Sequence, residues 1–166
     1  IKYEFISRGT LEWYDLIFDS SRLNNTALDF DKVKKIRWSI FLLAPLLHFF
    51  GRVDIPFPGW CKLWKRPIDA HLTWLETIWY NSRFDWENIS LDGTLDSWDK
   101  ILNAGFWVTS TESLLIASVL RSGQTTIQGA AIEPHVMNLI SFLREAWADI
   151  KIRYDHVIVV QGVAEL

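Results

Sequence analysis

The sequence predicts an α+β fold: a mostly antiparallel sheet with two main helices packed on one side, in a single domain. Three observations carry this. Short aromatic and β-branched runs bounded by Gly, Ser and Asn recur along the chain. Two longer apolar stretches have helical signals, and the order of strands, helix, strands, helix, strand keeps the helices apart from the strand runs. The 166 residues, 49% of them hydrophobic, suffice to bury one core. No repeat, low-complexity tract or polar linker divides the chain, so one domain over 1–166 is expected.

Taken in order, Lys2 to Ile6 and Leu11 to Phe18 read as strands around the Arg8-Gly9 turn. Asp29 or Asp31 can cap a helix from about Lys32 to Phe50, and Pro45, lacking an N–H, should kink or split it. Three prolines and two glycines between Gly51 and Pro67 exclude regular structure for most of that segment. His71 to Tyr80 alternates Leu72, Trp74, Glu76, Ile78 and Tyr80 with Thr73, Leu75, Thr77 and Trp79, as a strand covered on both faces does. Asn81 to Lys100 is acidic and turn-rich, with a short helix expected around Leu95 to Leu102. Phe106 to Thr109, Ser113 to Leu120 and Thr125 to Ile132 read as strands, the last two forming a hairpin through Arg121-Ser122-Gly123-Gln124. Pro134 suits a first helical position, and Val136, Leu139, Ile140, Leu143 and Trp147 recur at helical spacing to about Ile150. Ile152 to Val163 is the closing strand.

Composition narrows function mainly by exclusion. Ten Trp and ten Phe mark a packed globule, and a net charge of −3 argues against a surface given over to nucleic acid, with no sequence-specific nucleic-acid contact expected. Cys61 stands alone, which excludes an intramolecular disulfide or a Cys-based zinc site. Asn24-Asn25-Thr26 and Asn88-Ile89-Ser90 match the glycosylation tripeptide by chance, and the chain is read as not secreted. The longest charge-free run, Trp38 to Gly51, is too short to span a bilayer. There is no phosphate-cradling glycine loop, Gly-x-Ser-x-Gly, His-Glu-x-x-His or paired CxxC. His48, His71, His135 and His156 fall on four separate elements and read as individually satisfied. No catalytic residue, metal or cofactor is therefore assigned, and the start at Ile1 suggests that an N-terminal arm is missing.

The feature that stands out is a loop mixing aromatic rings and cations. Ile55, Phe57, Trp60, Lys62, Trp64, Lys65 and Arg66 combine indoles suited to the headgroup level with cations suited to an anionic leaflet. They are the candidate membrane or self-association loop, set against the plainer reading in which Trp60 and Trp64 turn inward to anchor it. Lys32, Lys34, Lys35 and Arg37 form a second basic patch at the head of the first helix.

The run Leu42 to Arg66, with Pro56-Phe57-Pro58-Gly59-Trp60 and its basic cluster, then the strand around Leu72 to Trp74, resembles the middle of rhabdovirus matrix proteins, especially the lyssavirus kind. Thr126-Ile127-Gln128-Gly129, leading to a helix that holds Trp147, falls in a similar place, so the likeness covers about residues 37 to 150. It implies a viral structural protein of virion and host cytoplasm that coats the inner face of the host membrane. Such a protein self-associates into an open-ended homo-oligomer and links an anionic membrane surface to the viral nucleocapsid during budding. The family's basic arm and PPxY motif are absent from these residues.

Two other readings stand beside it. A small α+β enzyme or ligand-binding domain would place Asp69, His71 and Tyr80 around an aromatic-lined pocket as acid–base groups. An immunity or adaptor protein would bind a basic partner through Asp85, Glu87, Asp92 and Asp96.

Overall fold

A computed structural model describes residues 2–7, 14–19, 30–56, 69–78, 81–84, 87–93 and 99–166. The expected α+β class with mostly antiparallel pairing holds, but the pairing is divided among three sheets. Strands β1 (Lys2–Ser7) and β2 (Tyr14–Asp19) form the first, an antiparallel hairpin close to the expected one.

The expected first helix is split. A short turn of helix, α1 (Phe30–Val33), precedes a 3-10 helix over Arg37–Leu42, and α2 (Leu43–Phe50) follows. Pro45 stands in the first turn of α2, where its missing N–H would have had no acceptor, so the division falls just before it. Gly51 ends α2 with φ +67, and its N–H donates to the Leu47 carbonyl at 2.8 Å, a left-handed cap that glycine adopts without steric cost.

Strand β3 (Arg52–Pro56) follows, then α3 (Asp69–Ile78), β4 (Asn81–Phe84) and β5 (Asn88–Asp92), giving an antiparallel sheet in the order β3-β5-β4. The expected strand over His71 to Tyr80 is therefore corrected to a helix. His71, Trp74, Leu75 and Ile78 are buried, and their spacing of three, four and seven is one helical face. Burial of Trp74, Leu75 and Ile78 at about 1.5–3 kcal/mol each outweighs the β preference of the alternating sequence.

The last sheet takes β6 (Lys100–Asn103), α4 (Val108–Val119), β7 (Gln124–Gln128), α5 (Pro134–Glu145), β8 (Asp149–Arg153) and β9 (Val157–Gln161), in the order β6-β7-β9-β8. Only β6 and β7 run parallel among the described strand pairs. Here too the reading is corrected. Ser113 to Leu120 lies mostly in α4, so the expected hairpin with Thr125 to Ile132 does not form, and the closing strand is a hairpin turning at Tyr154 to His156. α4 packs against α2, α3 and α5 and against β7 and β9, burying residues on all sides, which erases the one-sided period that marks a surface helix.

Although the sequence shows no repeat, the topology does. α2, β3, α3, β4, β5 and α4, β7, α5, β8, β9 are each a helix followed by a strand, helix and two strands, and in each the last strand lies in the middle. The outer strands are short and polar: β3 carries Arg52, Asp54 and Pro56, β4 Arg83, β6 Lys100, and β8 Asp149, Lys151 and Arg153.

Candidate functional site

Because β6 and β7 run parallel, both deliver the chain to the same end of their sheet, and α4 and α5 begin there. The β8–β9 turn reaches the same end, since β9 runs antiparallel to β7. Three connections thus meet at one rim and are laced together. The Ala104 N–H donates to the Gln128 carbonyl at 2.8 Å and the Phe106 N–H to the Gly129 carbonyl at 2.7 Å. The Ala130 N–H donates to the His156 carbonyl at 2.8 Å, and His156 Nδ1 lies 2.8 Å from the Ala130 carbonyl, which fixes that nitrogen as the donor. The Phe106 ring meets the His156 ring edge to face at 5.2 Å between centroids.

The rim is held in costly backbone conformations. Phe106, Asp155 and His156 have φ of 59°, 58° and 58°, in the left-handed region where a side chain costs about 1–2 kcal/mol. Such residues persist only where the surroundings over-determine them, and they gather at binding and catalytic sites.

The start of α4 offers backbone donors. α4 starts at Trp107 with extended backbone and no side-chain cap, so the amides of Val108, Thr109 and Ser110 lack intrahelical acceptors. Unclaimed amides and the helix dipole together attract negative charge. Glu133, at the head of α5, also makes no side-chain cap bond. Burial pushes the Glu112 carboxyl above the usual range and Glu133 adds to this, while His135 pulls the other way. The three groups therefore share one electrostatic environment, flanked by the exposed Phe106, Trp107 and Ile132.

The sequence-predicted sites lie elsewhere. Ile55 is fully buried on β3 opposite Ile89, so it belongs to the core and is corrected as a member of any contact loop. Phe57, Trp60, Lys62, Trp64, Lys65 and Arg66 fall outside the described residues. Lys32, Lys34 and Lys35 are exposed on and just after α1, and Arg37 opens the 3-10 helix. Of the acid–base candidates, His71 is buried beside Trp74, Asp69 opens α3, and Tyr80 lies outside the described residues. Asp85 and Asp96 lie outside too, while Glu87 and Asp92 flank or end β5. Thr109-x-x-Glu112 has capping-box spacing, but Thr109 is already the second residue of α4 and the helix starts at Trp107 without a side-chain cap, so that pattern does not mark the rim.

The family model for EPSP synthase (3-phosphoshikimate 1-carboxyvinyltransferase) matches residues 12–166. The chain belongs to the EPSP synthase family. It is 39% identical over 150 residues to a UDP-N-acetylglucosamine 1-carboxyvinyltransferase of Wolbachia sp. subsp. Brugia malayi, covering 89% of this chain and 35% of that one. It is 33% identical over 165 residues to an enzyme of the same name from Idiomarina loihiensis, covering 97% and 39%. The chain thus spans little more than a third of the length of these curated relatives. The enolpyruvyl transferase NikO from Streptomyces tendae superposes over 97% of this chain and 37% of its own, with a TM-score of 0.73 at 19% identity, and so shares the fold.

These findings overturn the resemblance to rhabdovirus matrix proteins and what it implied. The structural protein without a reaction, the virion and budding role, the membrane, self-assembly and nucleocapsid partners, and the inner-membrane location all fall with it. The physical reason is that the likeness rested on short Pro, aromatic and basic motifs and on a strand at Leu72 to Trp74, which is part of α3. No helix among the described residues is long and apolar enough to cross a membrane. The enzyme reading kept beside it fits the family better, although not at Asp69, His71 and Tyr80 as a shown site.

Proposed function

We propose that this chain supplies part of the acceptor site of a carboxyvinyl transferase and that the acceptor is UDP-N-acetylglucosamine. The observation that carries the reading is the rim at the start of α4, where helix-start amides without intrahelical acceptors, the Glu112 carboxyl and exposed aromatic rings come together within a member of this family. The repeated name among relatives 33–39% identical favours the nucleotide sugar over 3-phosphoshikimate. A diphosphate is the kind of group that an uncapped helix start holds, and the ring faces of Phe106 and Trp107 suit the flat parts of a nucleotide. Moving a carboxyvinyl group onto a sugar hydroxyl breaks the bond between that group and its donor as the new C–O bond forms, and the hydroxyl gives up its proton; Glu112 is the carboxyl at this rim closest to the start of α4 in sequence.

Calorimetric titration tests the acceptor. UDP-N-acetylglucosamine is expected to bind and 3-phosphoshikimate to bind at least tenfold more weakly. No binding of the nucleotide sugar, or tighter binding of 3-phosphoshikimate, overturns the assignment.

A further inference from the structure

The connection from β7 to α5 carries Ile132, Glu133 and His135, yet it has no regular structure of its own over Ala130 to Glu133. Something must hold it against α4. The Ala131 N–H, on a residue only 3% exposed, donates to Thr111 Oγ1 at 2.9 Å, and the Thr111 hydroxyl donates in turn to the Trp107 carbonyl at 2.9 Å. Thr111 is itself fully buried, and its own N–H donates to the same carbonyl at 2.9 Å. One hydroxyl thereby bridges the residue that begins α4 and the segment that leads to Glu133. The neighbouring lacing among the described residues, through Phe106 and His156, fixes Gly129 and Ala130 but stops short of Ala131.

We propose that Thr111 is a positioning residue for this site, setting Ile132 to His135 beside the open amides of α4 through its single hydroxyl. The proposal rests on the reading of the rim as the acceptor site. Threonine suits the task because its hydroxyl both donates and accepts, while its methyl fills the buried space that a serine would leave. Valine has the same shape and cannot make either bond, so it strands the Ala131 N–H in a dry environment, where an unmade bond costs more than a made one yields.

The test compares Thr111→Val, Thr111→Ser and the parent by amide hydrogen exchange, urea unfolding and titration with UDP-N-acetylglucosamine. In Thr111→Val the Ala131 amide is expected to exchange at least tenfold faster while Ile127, in the adjacent strand, keeps its protection. The folded variant is expected to bind the nucleotide sugar about tenfold more weakly. Thr111→Ser is expected to restore both, even where the lost methyl lowers its urea midpoint. A purely structural role would lower the midpoint in both variants and leave the affinity of the folded protein alone, and that result overturns the proposal. So does unchanged exchange at Ala131 in the valine variant. Should Thr111→Val fail to fold, Thr111→Ser decides by itself: loss of Ala131 protection or of affinity there counts against the hydroxyl. Absence of binding in the parent refutes the acceptor assignment alone, since the exchange comparison stands without any ligand.

Discussion

Gly162 offers the sharpest test of the packing. A Cβ built on it would lie 1.4 Å from the Arg121 carbonyl oxygen and 2.5 Å from the carbon of that carbonyl, with the Gly123 oxygen at 3.3 Å. Non-bonded heavy atoms settle at about 3.5 Å or more, so Gly162→Ala must drive two backbone segments apart by about 2 Å. That movement breaks the bond from the Gly162 N–H to the Gly123 carbonyl at 3.0 Å and from the Val163 N–H to the Val119 carbonyl at 2.9 Å. Two such bonds contribute about 1 kcal/mol each, and forced overpacking costs about 1–3 kcal/mol, giving roughly 3–5 kcal/mol in all. At a urea dependence of about 2 kcal/mol per molar, the midpoint should fall by roughly 2 M, followed by circular dichroism. Gly51→Ala is the matched control. Its added carbon meets nothing closer than 4.0 Å, and only the φ of +67 penalises it, at about 1–2 kcal/mol. A midpoint for Gly162→Ala at or above that of Gly51→Ala refutes the reasoning.

Three further outcomes follow from the same structure. The Glu112 carboxyl is raised above its ordinary 4.5, so the folded chain keeps that proton longer than the unfolded one and loses stability as pH climbs from about 4.5 upward. Glu112→Gln should therefore match the parent near pH 4 and exceed it at pH 7 in urea midpoint. Gly129→Ala, at φ +59 and 3.0 Å from Asn103 Oδ1, should cost about 2 kcal/mol. It should also shift the Gly105 amide resonance, whose N–H now donates to that oxygen at 2.7 Å. The Asp54 carboxyl is held low first by the Ser90 side chain and then by Arg52, so Ser90→Ala should move its titration upward in an NMR series.

How much of this was legible varies by element. Pro134 and the buried Val136, Ile140 and Leu143 made α5 readable, because a helix lying on a sheet keeps one dry stripe. Trp147, placed on the same stripe by spacing, falls beyond the helix end at φ +75 and stands 84% exposed. In α3 two periods overlap: the alternation of Thr73, Leu75 and Thr77 suits a strand, while His71, Trp74, Leu75 and Ile78 suit a helix. Local pattern cannot choose between them, and packing against α4 does. α4 gave no period because it is covered all round. The rim was illegible for another reason. It joins Trp107, Thr111, Ala131 and His156 through the parallel pairing of β6 with β7 and the hairpin of β8 with β9, and register between distant strands leaves no mark in a single sequence.

The polar outer strands bear on how the chain behaves at high concentration. An open row of backbone donors and acceptors invites a neighbouring molecule to add its own strand and grow a ribbon. Here Pro56 removes a donor from one border, Arg83 and Lys100 place charge on two short ones, and the Asp149–Lys151 pair at 3.7 Å lies along the fourth. The borders of both larger sheets are thus blunted against ribbon growth. The exception is the β1–β2 hairpin, where Tyr3 and Phe5 lie uncovered, and it is there that clumping would begin if the protein were concentrated without its natural surroundings.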